Sequence, residues 1–120
     1  MADPIEQEIQ AKGLTAARVT PADIEANIAH AFYFTAEDGI VGFHRGQVAH
    51  SGEWHALSLL TICVLVLRNG FTVTGESACA SPENFDAEVG RKIARQNAVQ
   101  KIWPLMGYEL RTKLANDARR

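Results

Sequence analysis

Hydrophobic positions are spread unevenly along the chain. Leu57 to Leu67 is almost unbroken aliphatic and β-branched sequence, then Phe71 to Ser77 alternates apolar and polar residues. The first pattern suits a strand covered on both faces and the second a half-buried strand. Between them stands Asn69-Gly70, the strongest short hairpin signal, because a type I′ turn needs positive φ at both central residues. A two-residue turn there would oppose Arg68 to Phe71, Val66 to Val73 and Val64 to Gly75. It would gather Val66, Val64, Ile62, Phe71 and Val73 on one face, and Leu67, Leu65 and Cys63 on the other. Such a hairpin is marginal alone, so helices, a further strand or a second subunit must complete it.

Helical signals flank the hairpin. Pro4 to Ala11 predicts a short helix ended by Gly13, within a polar segment over 1–18. Thr20-Pro21-Ala22-Asp23 offers an N-cap, a proline in the first turn and a short-armed capping box, with Val19 and Ile24 as hydrophobic staple. That helix is expected to run to about Tyr33. Thr35 could cap a short turn. A glycine-rich loop over 40–55 then carries His44, His50 and His55. After the hairpin, Ser81 reads as an N-cap with Pro82 in the first turn and Glu83 complementing the dipole. A long helix should follow, broken or kinked at Pro104, with a last turn or two over Tyr108 to Ala115. Phe85, Val89, Ile93, Val99 and Trp103 form a bulky stripe expected to cover the hairpin. Ala87, Ala94 and Ala98 form a small-residue stripe left for a neighbouring helix or subunit. The fold class is α+β: one small domain over 1–120, with N-terminal helices, a β-hairpin and a long C-terminal helix broken near Pro104.

Composition narrows the classes of function. The 120 residues are long enough to bury a core without metal or disulfide, and a net charge of −2 brings no bulk attraction to nucleic acid or anionic membrane. The start of the chain has no secretory pattern, and the run from Ala56 to Leu67 is too short to cross a bilayer. A soluble protein without membrane contact, acting in the cytoplasm, is expected. The hairpin register puts Cys63 and Cys79 about 10 Å apart, beyond disulfide reach. The histidine spacings match no compact metal motif, so no metal and no cofactor are expected. No Walker loop, dinucleotide fingerprint or paired-carboxylate motif is present, and no catalytic residue is assigned.

The phrases Leu67-Arg68-Asn69-Gly70-Phe71-Thr72-Val73-Thr74-Gly75-Glu76-Ser77-Ala78-Cys79 and Ser81-Pro82-Glu83-Asn84-Phe85-Asp86 resemble a phage-protein family. Thr20-Pro21-Ala22-Asp23-Ile24-Glu25, Gly90-Arg91-Lys92-Ile93-Ala94-Arg95 and Ile102-Trp103-Pro104-Leu105-Met106-Gly107-Tyr108 continue the likeness. The family is the one named for gene product forty-nine of coliphage N-four and gene product sixty-six of a Shigella phage. The resemblance covers about 90 residues and implies a phage or prophage accessory protein; it carries no catalytic residues. The expected function is non-enzymatic: binding and modulating a host protein, in host takeover or counter-defence. The alternative is a binder or sponge of nucleotides or nucleic acid. Its anionic ligand would sit at the helix start around Ser81 and Asn84 and along the basic edge Arg91, Lys92 and Arg95. The two-faced strand and the alanine stripe also predict a homo-oligomer, with a closed dimer the first guess.

Overall fold

The computed structural model describes residues 3–45 and 54–120. Helix α1 spans Pro4–Ala11, α2 Pro21–Ala26 and strand β1 Ile28–Thr35; helix α3, Ala36–Phe43, follows directly. A 3₁₀ segment over Trp54–Leu59 leads into β2, Leu60–Leu67, then β3, Thr72–Ala78. Helix α4, Ala87–Ala118, closes the chain. The strands form one antiparallel sheet in the order β1-β2-β3. A single small α+β domain results, as the sequence pattern predicts.

Local chemistry explains the starts of α2 and α3. Thr20 accepts a hydrogen bond from the Asp23 amide, and the Asp23 carboxylate accepts one from the Thr20 amide at 2.9 Å. Thr35 and Asp38 repeat that reciprocal capping box. Helix α2 stops at Ala26, well short of Tyr33. The segment that follows, Ile-Ala-His-Ala-Phe-Tyr-Phe-Thr, is a strand that completes the hairpin on its β2 side. Aromatic and β-branched residues favour a pleated surface over a helix. Of the expected 40–55 loop, residues 40–43 belong to α3 and 54–55 to the 3₁₀ segment, and 46–53 lie outside the described residues. His50 lies outside the described residues.

The hairpin itself carries the main correction. Its loop has three residues, Arg68, Asn69 and Gly70. The Gly70 amide donates to the Leu67 carbonyl at 2.9 Å, and the Leu67 amide to that of Phe71 at 2.8 Å. Gly70 alone takes positive φ, +89°, with no strain on Asn69, whose side chain accepts from the Phe71 amide. A three-residue loop with glycine in the left-handed position is the other common hairpin solution. The register therefore slips by one residue: Leu65 opposes Val73, Cys63 opposes Gly75 and Ile62 opposes Glu76. A slip of one exchanges the faces. The buried face carries Thr61, Cys63, Leu65, Leu67 and Val73, and Ile62, Val64 and Val66 point the other way.

Helix α4 also turns its expected faces around. It lies over β3 and β2 with Gly90, Ala94, Ala98 and Ile102 inward. Ala94, Ala98 and Ile102 are fully buried, and Val89 and Ile93 of the bulky stripe are exposed. The reason is distance. A Cβ on Gly75 would land on the Ala94 carbonyl oxygen and the Ala98 amide nitrogen, and one on Gly90 would meet the Thr61 hydroxyl at 2.9 Å. Glycine on the strand and small residues on the helix let the backbones approach closely, so Ala94 and Ala98 of the alanine stripe fill the core, while Ala87 stays exposed. Ile24, Ile102 and Leu65 supply the largest fully buried side chains, each contributing about 1.5–3 kcal/mol.

Two further boundaries differ from expectation. Residues 82–84 form only a 3₁₀ turn, and Ser81 makes no capping hydrogen bond. The long helix begins six residues after Ser81, capped by Asp86, whose carboxylate accepts from the Val89 amide at 3.0 Å. Helix α4 also runs unbroken through Pro104. The missing N–H leaves the Gln100 carbonyl without its helical donor, but that side of the helix is exposed and water can take the bond. Trp103 and Met106, packed against the core on either side, hold the helix across the proline.

Candidate functional site

The basic edge and the helix start do not converge on one pocket. Ser81 is turned to its own segment, its hydroxyl donating to the Glu83 carboxylate at 2.7 Å and holding that carboxyl below its usual range. The amide donors at the true N-terminus of α4 already face the Asp86 carboxylate. An anion there would meet a negative charge in place of free donors. Lys92 pairs with Glu88 one turn back, at 3.3 Å, with both side chains well exposed. Such a pair adds little.

Arg95 is a structural residue. Its guanidinium donates to the Tyr33 hydroxyl at 3.3 Å and to the Glu25 carboxylate at 2.7 Å, joining α4 to β1 and α2. The Tyr33 bond, with support from the Glu25 charge, raises the Arg95 pKa against a desolvation penalty. Beneath lies Cys63, opposite Tyr33 in the sheet and fully buried. Burial pushes its thiol pKa up, opposed by the nearby Arg95 charge and the Tyr33 hydroxyl. Reversing the charge at Arg95 would therefore cut a tie between three elements, so the residue cannot be treated as a free basic contact.

Arg91 stays exposed. It borders a hollow of about 100 Å³ lined by Tyr33, Thr35, Asp38, Thr61 and Phe85. Nucleotide pockets commonly run from about 300 to 1,000 Å³, so this hollow is too small, and Asp38 places a like charge beside any phosphate. Asn84 borders a separate hollow of about 140 Å³ with Cys79, Val89 and Ile93. There the Cys79 thiol donates to the Ser81 carbonyl at 3.2 Å. No histidine lines that hollow among the described residues, so the cysteine has no base beside it. Both cysteines are free thiols. Among the described residues, no group of histidine, cysteine, aspartate and glutamate could hold a metal ion. No described helix is long and apolar enough to cross a membrane.

The sequence pattern gives β2 two apolar faces but misses that β1 extends the second of them. Phe32 and Phe34 on β1 oppose Val64 and Ile62 on β2, and His30 opposes Val66. These residues stand on the side away from α4. Phe32 is 56% exposed, and Phe34, Ile62, Val64 and Val66 are half-buried. Helix α3 shelters one end, where Gly39 approaches the Phe34 ring. The signal for this face lay in the alternation His30, Phe32, Phe34, hidden by reading the segment as the end of a helix.

Comparison with known proteins adds one finding. No curated protein and no solved structure matches the chain. A family model does match, over residues 19–114, from the entry to α2 through most of α4. That span is most of the chain, and the chain belongs to the Phage protein (N4 Gp49/phage Sf6 gene 66) family.

Proposed function

We propose that this chain is a non-enzymatic phage or prophage accessory protein that binds and modulates a host protein in the bacterial cytoplasm. The observation that carries the reading is the apolar sheet face built by Phe32, Phe34, Ile62, Val64 and Val66. Exposed contiguous apolar surface on a folded domain is a mark of protein or ligand contact. β1 is also an edge strand whose eight residues include no Lys, Asp, Glu or Pro, the usual guards of an edge. The partner that fits is a host protein offering an apolar face, with its own strand laid along β1. Family membership supports a phage setting, and the dispersal of Ser81, Asn84, Lys92 and Arg95 favours this reading over a nucleotide sponge.

The test is capture from host cells with wild type and Phe32→Glu, each checked by circular dichroism. Phe32 is 56% exposed, so the charge should alter stability by no more than about 0.5 kcal/mol. A specific host protein is expected with wild type and absent with Phe32→Glu. Capture unaffected by that substitution would refute the sheet face as the docking surface.

A further inference from the structure

We propose that the C-terminal end of α4 is a self-association surface that pairs with the same segment of a second copy, antiparallel, about Leu110. The protein is extended, 62 Å in its longest dimension, with a radius of gyration of 18.8 Å. A compact chain of this length would have a radius nearer about 14 Å. At about 1.5 Å per residue, the 32 residues of α4 reach roughly 48 Å. The apolar residues packed on the core end at Met106. Leu110 and Leu114 repeat the same four-residue spacing farther out. They continue one stripe, Met106, Leu110 and Leu114, outside the core cluster.

The stripe is self-complementary. A two-fold axis beside Leu110 sets Leu110 against Leu110 and Met106 against Leu114 of the second copy. Residues 109 and 113 are four apart and share one flank of the stripe. Antiparallel pairing brings Glu109 of each copy to Lys113 of the other, so two opposite-charge pairs form at once. Among the described residues neither side chain is in an ion pair within its own chain. A closed interface of this kind uses one patch twice. At the base of the projecting segment, a hollow of about 220 Å³ lies between the hairpin and α4, lined by Leu67, Phe71, Leu105 and Met106, with Asn27, Asn69 and Glu109 at its polar side. Phe71 and Leu105 are 56% and 41% exposed. The second copy's Leu114 reaches this hollow, and Phe71 and Leu105 extend the contact onto the hairpin. This surface is separate from the open sheet face, so both can be occupied together.

The test is sedimentation velocity and light scattering on the full chain across the micromolar range, with circular dichroism as a folding check. Wild type is expected to be a dimer, and Leu110→Glu a folded monomer. Glu109→Lys sets like charges together and should weaken the dimer about ten-fold. The swap Glu109→Lys with Lys113→Glu should restore it. A wild type that stays monomeric overturns the proposal. So does a dimer indifferent to Leu110→Glu, or one that the charge swap fails to restore after Glu109→Lys weakens it. Should Leu110→Glu not fold, the single and swapped charge variants decide alone.

Discussion

Gly75→Ala separates two kinds of reasoning by the sign of its effect. Judged from the strand alone, replacing glycine by alanine should stabilise, by about 0.4–1 kcal/mol, because the unfolded chain loses freedom. Judged from the packing, it should destabilise. The added methyl would land on the Ala94 carbonyl oxygen and the Ala98 amide nitrogen, with the Ala98 Cα at 2.9 Å. All three are backbone atoms of α4 and cannot rotate away. The helix would have to lift, and a gap of about 0.5–1 Å forfeits roughly a quarter to a half of each facing dispersion contact. Ala94, Ala98 and Ile102 are all fully buried against this sheet. Overpacking typically costs about 1–3 kcal/mol, and rigid neighbours favour the upper end. After subtracting the unfolded-state gain, the net loss is about 2–2.5 kcal/mol. For 120 residues the unfolding entropy is about 250 cal/mol/K. The melting temperature should therefore fall by about 10 °C. Thermal unfolding followed by circular dichroism measures it. Gly42→Ala is the control: a Cβ there meets nothing within 4 Å, so it should gain about 0.5–1 kcal/mol. Ala98→Gly should not rescue Gly75→Ala, because the obstruction is main chain. A Gly75→Ala protein as stable as wild type would refute the close helix–sheet contact.

Two other predictions concern ionisation and thiols. The Glu6 carboxylate accepts both Arg18 nitrogens, at 2.8 and 2.7 Å, and that bond, with help from Gln10, lowers its pKa from 4.5 to about 2. A lowered folded-state pKa gives stability that is present above 4.5 and lost as pH falls from 4.5 to about 2. The stability gap between wild type and Glu6→Gln should close over that window, as followed by unfolding at successive pH values; a gap constant across it would refute the pairing. Cys63 is fully buried with its pKa raised, and Cys79 is partly exposed. A chromogenic disulfide reagent at mildly alkaline pH should modify one thiol per native chain, lost in Cys79→Ala, and reach the second only on unfolding.

The legible parts of this fold were those written in local chemistry. A capping box needs only side chains three residues apart, so Thr20-Asp23 announces itself, while the reading at Thr35 takes only the cap and misses its partner Asp38. The existence of the hairpin and of the long helix was equally plain. What failed depended on tertiary choices. Ile28–Thr35 becomes a strand because β2 offers a free edge that its alternating aromatic residues fit, and the capping signal at Thr20 hid that pattern inside an extended helix. Pro104 is tolerated because Trp103 and Met106 are held by the core. The start of α4 moved from Ser81 to Asp86 although both residues are good caps; Asp86 has the amide of Val89 within reach and Ser81 has none. The basic edge was read from helical spacing, which gives direction around the axis and no knowledge of what waits there. For Arg95, Tyr33 and Glu25 were waiting.

One residue of hairpin loop connects these corrections to function. With Asn69-Gly70 alone in the turn, Val64, Val66 and Val73 would share the inner face. With Arg68 included, Cys63, Leu65, Leu67 and Val73 face α4, and Gly75 falls opposite Ala94 and Ala98. On that face Gly75 leaves room for the backbone of α4 at Ala94 and Ala98. Placing the glycine-facing side inward then commits Ile62, Val64 and Val66 to the outer side, beside Phe32 and Phe34 from β1. The open apolar face is thus the complement of the tightest packing in the core. A one-residue shift that hid the valines would instead turn Cys63, Leu65 and Leu67 out of the core. A sequence selected only for stability could place polar residues at 62, 64 and 66 without disturbing the helix contact. Their apolar character has no role in the described core, and on the proposed function it is kept for the partner.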